Sequence, residues 1–168
     1  MSIDRPSSLA AIEVSGDPYD VGAQLGRFGA GVVNEYLTKT QAWAGIIAHC
    51  HDPRVVQMGA LVQERYPRYW AEIQGLADGL DLPFAQVFAW NCRGDIRALA
   101  PDGCTTVQVP GARRTIAHNE DGDPGFRGHC ALARIGSTGG TPFTAFVYPG
   151  VIAGAHLCGD RCRTGADG

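Results

Sequence analysis

Lysine is nearly absent from this chain. Lys39 is the single one among 14 basic residues, the formal net charge is -3, and the sequence pI is near 5.9. So little basic surface argues against a general binder of the nucleic-acid phosphate backbone. Long apolar runs are missing too: none reaches the ~18 residues needed to span a bilayer. Met1-Ser2-Ile3-Asp4-Arg5 lacks the basic-then-apolar pattern of an export signal. Gly165-Ala166-Asp167-Gly168 carries no lipidation or peroxisomal address. There is no internal repeat and no low-complexity linker. These absences lead to the expectation of a cytoplasmic protein with neither nucleic acid nor membrane as partner.

What remains is 168 residues, 45% of them hydrophobic, enough for one domain with its own core. The cysteines are Cys50, Cys92, Cys104, Cys130, Cys158 and Cys162. With no export signal, free thiols are expected rather than a disulfide framework.

The chain has two textures. Leu9 to Val14 alternates weakly and reads as a short strand. Asp17 is an N-cap and Pro18 stands in the first turn of a helix expected to run from Pro18 to His49. Its apolar residues Val21, Leu25, Phe28, Val32, Val33, Tyr36 and Leu37 recur at helical spacing, while Gly22, Gly26, Gly29 and Gly31 permit close packing. Asp52-Pro53 opens a second helix to Tyr66. Pro67 opens a third, with Trp70, Ile73 and Leu76 on one face and Gly79 closing it. Leu82-Pro83 opens a fourth, to Asn91. Beyond Pro101 the pattern changes to short β-prone runs at Thr105–Val109, Thr115–His118, Cys130–Ile135 and Phe143–Tyr148. Turn signals rich in Gly, Pro and Asp separate them. The expected class is α+β.

The change of texture falls just before Asp102-Gly103-Cys104-Thr105-Thr106. Cys104 reads as a nucleophile and Gly103-Cys104 as a cleavage site. Attack of the thiol on the Gly103 carbonyl gives a thioester, and its hydrolysis leaves Cys104 as a new N-terminus. Gly103 leaves that carbonyl uncrowded. The freed α-amine titrates near ~7.7–8.0 and can serve as base for its own thiol. The plainer alternative is a buried free cysteine at the start of a strand.

Other features are read structurally. Arg93-Gly94-Asp95 spells an adhesion tripeptide but fits a helix end with a Gly cap. His49-Cys50-His51 and Cys158/Cys162 are too far apart in sequence for the two close pairs of a zinc site. Asp121-Gly122-Asp123 suits a turn better than a calcium site of six to eight oxygens. Arg113-Arg114 reads as a hairpin end, and Trp43, Trp70 and Trp90 as core.

Five pieces stand in order: Glu72-Ile73-Gln74-Gly75-Leu76-Ala77-Asp78-Gly79, Asn91-Cys92-Arg93, Asp102-Gly103-Cys104-Thr105-Thr106, Asn119-Glu120-Asp121 and Tyr148-Pro149-Gly150. The set resembles the acyl-CoA:6-aminopenicillanic acid acyltransferase family, also called isopenicillin-N acyltransferase-like, over roughly residues 10–156. The resemblance implies a cysteine N-terminal-nucleophile enzyme with an αββα sandwich, made as a precursor that cuts itself before the cysteine. Residues 1–103 would be the helix-rich part and 104–168 the start of the strand-rich nucleophile part, together one domain whose cleaved halves stay associated.

Carried over, the resemblance makes Cys104 the nucleophile and Asp121 the carboxylate beside the new α-amine. Asn119, two residues earlier on the same strand face, takes a secondary polar role, and Glu120 points away. No cofactor is implied, and the partner is a small-molecule amide or an acyl-CoA. Members are about twice as long, with a second sheet and a distal oxyanion-hole asparagine beyond the length of this chain. The expectation is therefore an incomplete second sheet, and the alternative function is a catalytically incomplete, non-enzymatic fragment.

Overall fold

The first strand, β1 (Ala10–Gly16), runs almost directly into the first helix, α1 (Pro18–Glu35). The turn works because Gly16 takes φ +133 and the Asp20 side chain fills the space where a Cβ would stand. Asp17 caps the helix: its carboxylate accepts the Asp20 N–H at 2.9 Å, and the Asp20 carboxylate accepts the Asp17 N–H at 3.4 Å. The computed structural model describes residues 9–96, 105–109, 115–119, 122–153 and 158–160.

The expected helix from Pro18 to His49 is in fact three pieces. After α1 come a 3-10 turn at Leu37–Lys39 and a separate helix, α2 (Gln41–Ile47). Two features break the helix, one long-range and one local. Leu37 turns inward to become 1% exposed. Thr40 then acts on both sides of the break: its hydroxyl donates to the Leu37 carbonyl at 2.8 Å and accepts the Trp43 N–H at 3.1 Å. His49, Cys50 and His51 consequently lie on a turn and not on a helix.

Asp52 caps α3 (Pro53–Arg65), as its sequence indicates. Then follow α4 (Pro67–Leu80), α5 (Phe84–Asn91) and a single turn, α6 (Arg93–Ile96), which absorbs Arg93-Gly94-Asp95. Gly79 does not close α4. The helix continues past it to Asp81, which takes the left-handed conformation at φ 57. Gly79 is needed inside the helix, at its contact with α1.

That contact is the closest in the helical layer. A Cβ on Gly22 would collide with the Glu72 carbonyl oxygen, and one on Gly75 with the Tyr19 carbonyl oxygen. One turn on, Gly26 faces Leu76 and Gly79 faces Ala23 in the same way. Residue numbers rise together along both helices, so α1 and α4 lie parallel with their backbones touching.

The later strands are β2 (Thr105–Val109), β3 (Thr115–Asn119), β4 (Ala131–Ser137), β5 (Phe143–Val147) and β6 (Cys158–Asp160). The four runs expected from the sequence all appear, and β6 adds a three-residue strand where no apolar alternation marked one. β1, β4, β5 and β6 form one sheet in that order, β1 parallel to β4 and the other pairs antiparallel. β2 and β3 form a separate antiparallel pair. The fold is α+β.

One face of the larger sheet belongs to the core. Val14, Ala131, Ala133, Ile135, Ala145 and Val147 are buried with Val21, Leu25 and Val33 of α1 and Ile73 and Leu76 of α4. On the other face Glu13 and Arg134, in register, form an exposed ion pair at 3.6 Å. Leu132 is 44% exposed there, in register with Phe146.

Gly22→Ala must force α1 and α4 apart, at roughly 2–4 kcal/mol of stability. Gly31, also in α1, has nothing within 4 Å of a would-be Cβ. Gly31→Ala should instead stabilise by roughly 0.5–1 kcal/mol. Chemical denaturation of the two variants checks this; equal effects would refute the close-contact account.

Candidate functional site

Of the residues singled out for chemistry, Gly103, Cys104 and Asp121, with Glu120, lie outside the described residues. Asn119 is described through its backbone. It ends β3 and pairs in register with Thr105, the first residue of β2 and the one that follows Cys104 in sequence. Arg113-Arg114, Cys162 and the Cys158 side chain also fall outside what is described.

The segment that follows Asp121 is tied down by aromatic side chains. A Cβ on Gly122 would collide with the Tyr148 hydroxyl. The Tyr36 hydroxyl, at the end of α1, donates to Asp123 Oδ1 at 2.6 Å, and the same oxygen accepts the Gly125 N–H at 2.8 Å. Asp123 thereby caps the 3-10 turn Pro124–Phe126, the turn chemistry expected of it. The Tyr36 ring lies against Gly125, leaving no room for a side chain. Phe126 is buried between Tyr36 and Tyr148, at 6.1 and 5.9 Å between ring centroids, both edge-on. The hydrogen bond to Asp123 raises the Tyr36 pKa and keeps its hydroxyl a donor. Tyr19 is raised likewise by Asp78.

Three other pieces of the sequence pattern meet at the loop after β5. Asn91 Nδ2 donates to the Gly150 carbonyl at 3.2 Å, and Asn91 Oδ1 accepts the Ile152 N–H at 3.0 Å. Gly150 takes φ +80, with Val33 and Leu37 of the α1 end packed beside it. Pro149 is fully buried, its ring against Gly29. The Ala153 N–H lies near enough to Glu72 to favour its charged form. So Glu72, Asn91 and Tyr148-Pro149-Gly150 come together, and their visible task is to hold a loop.

Glu72 is the most perturbed acid described. Burial pushes its carboxyl up to about 7, against the downward pull of the Arg68 guanidinium and the Ala153 N–H. Arg68 is itself held by the Ser137 hydroxyl at 3.1 Å and the Thr138 carbonyl at 2.7 Å. Cys92, next to Asn91, has its thiol pushed up to about 11, by burial first and then by Asp95. It stays protonated near neutrality and is a poor nucleophile. Arg93 lies over the Trp90 ring at 5.0 Å, and Trp43 packs on Trp90 at 5.3 Å, both indoles in the core. Among the described residues no three His, Cys, Asp or Glu gather as a metal-holding group, and no helix is long and apolar enough to cross a membrane.

Sequence reading gave Tyr36 only as an apolar residue of the first helix and missed its bond to Asp123. Its partner Asp123 lies 87 residues away, so no local spacing could announce it. The one legible trace was the pair of glycines, Gly122 and Gly125, that makes room for the two tyrosines.

The Glu72 shift has a sign that can be tested. The folded state binds this proton more tightly than the unfolded chain, so the contribution of Glu72 to stability falls as pH rises from the ordinary value of 4.5 through about 7. Glu72→Gln lacks that dependence. The variant's stability relative to the parent should therefore grow by roughly 1–2 kcal/mol over the same window, after discounting for solvent screening. Thermal or urea unfolding across that range measures it; a flat difference would show that Glu72 titrates normally.

Set against known protein families, the chain matches no family model.

Proposed function

We propose that this chain is an autoprocessing cysteine amidohydrolase or acyltransferase that works through an acyl-enzyme thioester on Cys104. It resembles the isopenicillin-N acyltransferase-like enzymes, and their αββα sandwich is the finer fold we propose for it. One observation carries the reading: the register of β2 and β3, in which Thr105 stands opposite Asn119. Cys104 is one peptide bond from Thr105, and Asp121 is two residues from Asn119. That pairing of the sequence neighbours of Cys104 and Asp121 is what supports the reading.

In the processing step the Cys104 sulfur attacks the Gly103 carbonyl carbon. The C–N bond breaks, and the nitrogen takes a proton to become the Cys104 α-amine. Water then hydrolyses the thioester, giving a Gly103 carboxylate and a free Cys104 thiol. In turnover the α-amine takes the thiol proton, the thiolate attacks an amide or acyl-CoA carbonyl, and the leaving amine or thiol departs protonated. Water or an amine then accepts the acyl group. Asp121 is assigned to hold the α-ammonium by charge, and Asn119 to a secondary polar role.

A second reading, a non-enzymatic fragment, draws on the outer face of the larger sheet. Leu132 is exposed there beside Phe146, on the face that a sandwich would cover with a second sheet.

Intact mass after expression separates the two. The expected result is two chains with a boundary at Gly103/Cys104, a whole chain for Cys104→Ala, and slower processing in Asp121→Asn than in Glu120→Gln. A single uncut parent chain under native conditions would overturn the enzymatic reading, and equal losses in the two acid variants would remove the role of Asp121.

A further inference from the structure

We propose that the cleft between α3, the start of α4 and α5 binds a small, uncharged, planar aromatic molecule of one or two rings with a hydrogen-bonding group at one edge. The cleft has a volume of about 320 Å³, at the lower end of the roughly 300–1,000 Å³ typical of small-molecule sites. Such sites are mostly apolar, with a few polar groups that fix orientation. The inference is independent of the nucleophile reading above.

Three aromatic rings form the wall. The Trp70 ring centroid lies 4.5 Å from that of Phe84 and 5.7 Å from that of Phe88, and Phe84 and Phe88 stack at 5.9 Å. Trp70 and Phe84 are only half-buried and keep part of their surface accessible. A further aromatic ring gains offset or edge-on contacts against such a wall, beyond the area it buries. Val55, Val56 and Ala60 of α3 complete the apolar lining.

Gly59 lines the cleft from the middle of α3. A Cβ there would stand 3.6 Å from the Trp70 and Phe88 rings, an ordinary contact. Packing therefore does not require glycine at this position, in contrast to Gly22 and Gly75, where carbonyl oxygens of the other helix occupy the space. A glycine inside a helix weakens it relative to alanine. What it gains here is open space against the aromatic wall.

The lining also sets the charge of the ligand. No Asp, Glu, Lys or Arg lines this cleft, whereas His49, Asp52, Arg54 and Asp95 gather in a second cleft that shares Val55. Polar atoms come from Cys50, His51 and Gln63. An ionised ligand would lose hydration with no fixed charge to replace it, while a neutral one needs only a hydrogen bond from a group such as the Gln63 amide.

The test titrates 2-naphthol into the full chain by isothermal calorimetry at pH 8, with 2-naphthoate and cyclohexanol as comparisons. 2-Naphthol should bind saturably with a Kd on the order of 0.1 mM. The anion and the non-aromatic alcohol should bind about 10-fold more weakly or worse. Gly59→Leu fills the cleft from the helix and should weaken 2-naphthol by about 10-fold or more, with no loss of Tm. Gln63 is exposed, so Gln63→Arg leaves the core alone and supplies a cation. It should reverse the preference, so that 2-naphthoate binds more tightly than 2-naphthol.

Absence of saturable 2-naphthol binding would overturn the proposal. So would binding that both variants leave unchanged, which would put the naphthol elsewhere, and so would equal binding of the three probes, the mark of unspecific adsorption. Should Gly59→Leu lose Tm, Gln63→Arg decides alone, and an unchanged ligand preference in that variant overturns the proposal.

Discussion

The rest of the structure depends on the backbone contact between α1 and α4. Parallel helices gain nothing from their dipoles, which point the same way, so packing must hold this pair. Four glycines let carbonyl oxygens of one helix sit where side chains of the other would be. The approach recurs one layer down. On the buried face of the sheet, Ala131, Ala133 and Ala145 are fully buried in the two central strands, leaving the bulk of the packing to Val21, Leu25 and Val33 of α1. Small residues on both sides give α1 a narrow slot, and the apolar residues on its remaining faces fill it.

Once α1 is seated, its end decides what lies beneath it. Gly29 admits Pro149, Val33 and Leu37 pack on Gly150, and Tyr36 reaches Asp123. The break in the helix after Glu35 therefore belongs to the same arrangement. A helix continuing straight through residues 36–40 would carry Leu37 away from the loop it covers. The capping of α2 by Thr40 makes the break stable, because it satisfies the backbone groups on both sides.

The sequence showed the elements clearly and their interruptions poorly. Asp17-Pro18, Asp52-Pro53 and Pro67 marked helix starts because caps act over a few residues. The four strand runs were visible because alternation is local as well. Gly79 was misread as a stop because a glycine inside a helix contact and a glycine after a helix look alike in one dimension; only Asp81 in the left-handed region tells them apart. The break at Tyr36 was missed because its cause, the burial of Leu37 under the loop at Gly150, joins distant parts of the chain. β6 is three residues long, too short to show a period. At the site, the pieces were legible but their tasks were not. Glu72 and Asn91 could be read only as motif letters until the structure set both against the loop after β5.

That division of labour bears on which cysteine can do chemistry. Cys92 sits inside one of the recognised pieces, and position in a motif would nominate it as readily as Cys104. Its surroundings argue otherwise. Burial and the Asp95 carboxylate both disfavour the thiolate. Cys130 is buried, with its thiol directed at the Phe126 carbonyl at 3.6 Å, and so serves the same aromatic cluster that holds Asp123. A nucleophilic cysteine needs a base or a positive charge beside it. Cys104 needs no neighbouring side chain for that, since cleavage before it would supply an α-amine on its own residue. On the proposed reading, the catalytic base would come from the chain's own cut end.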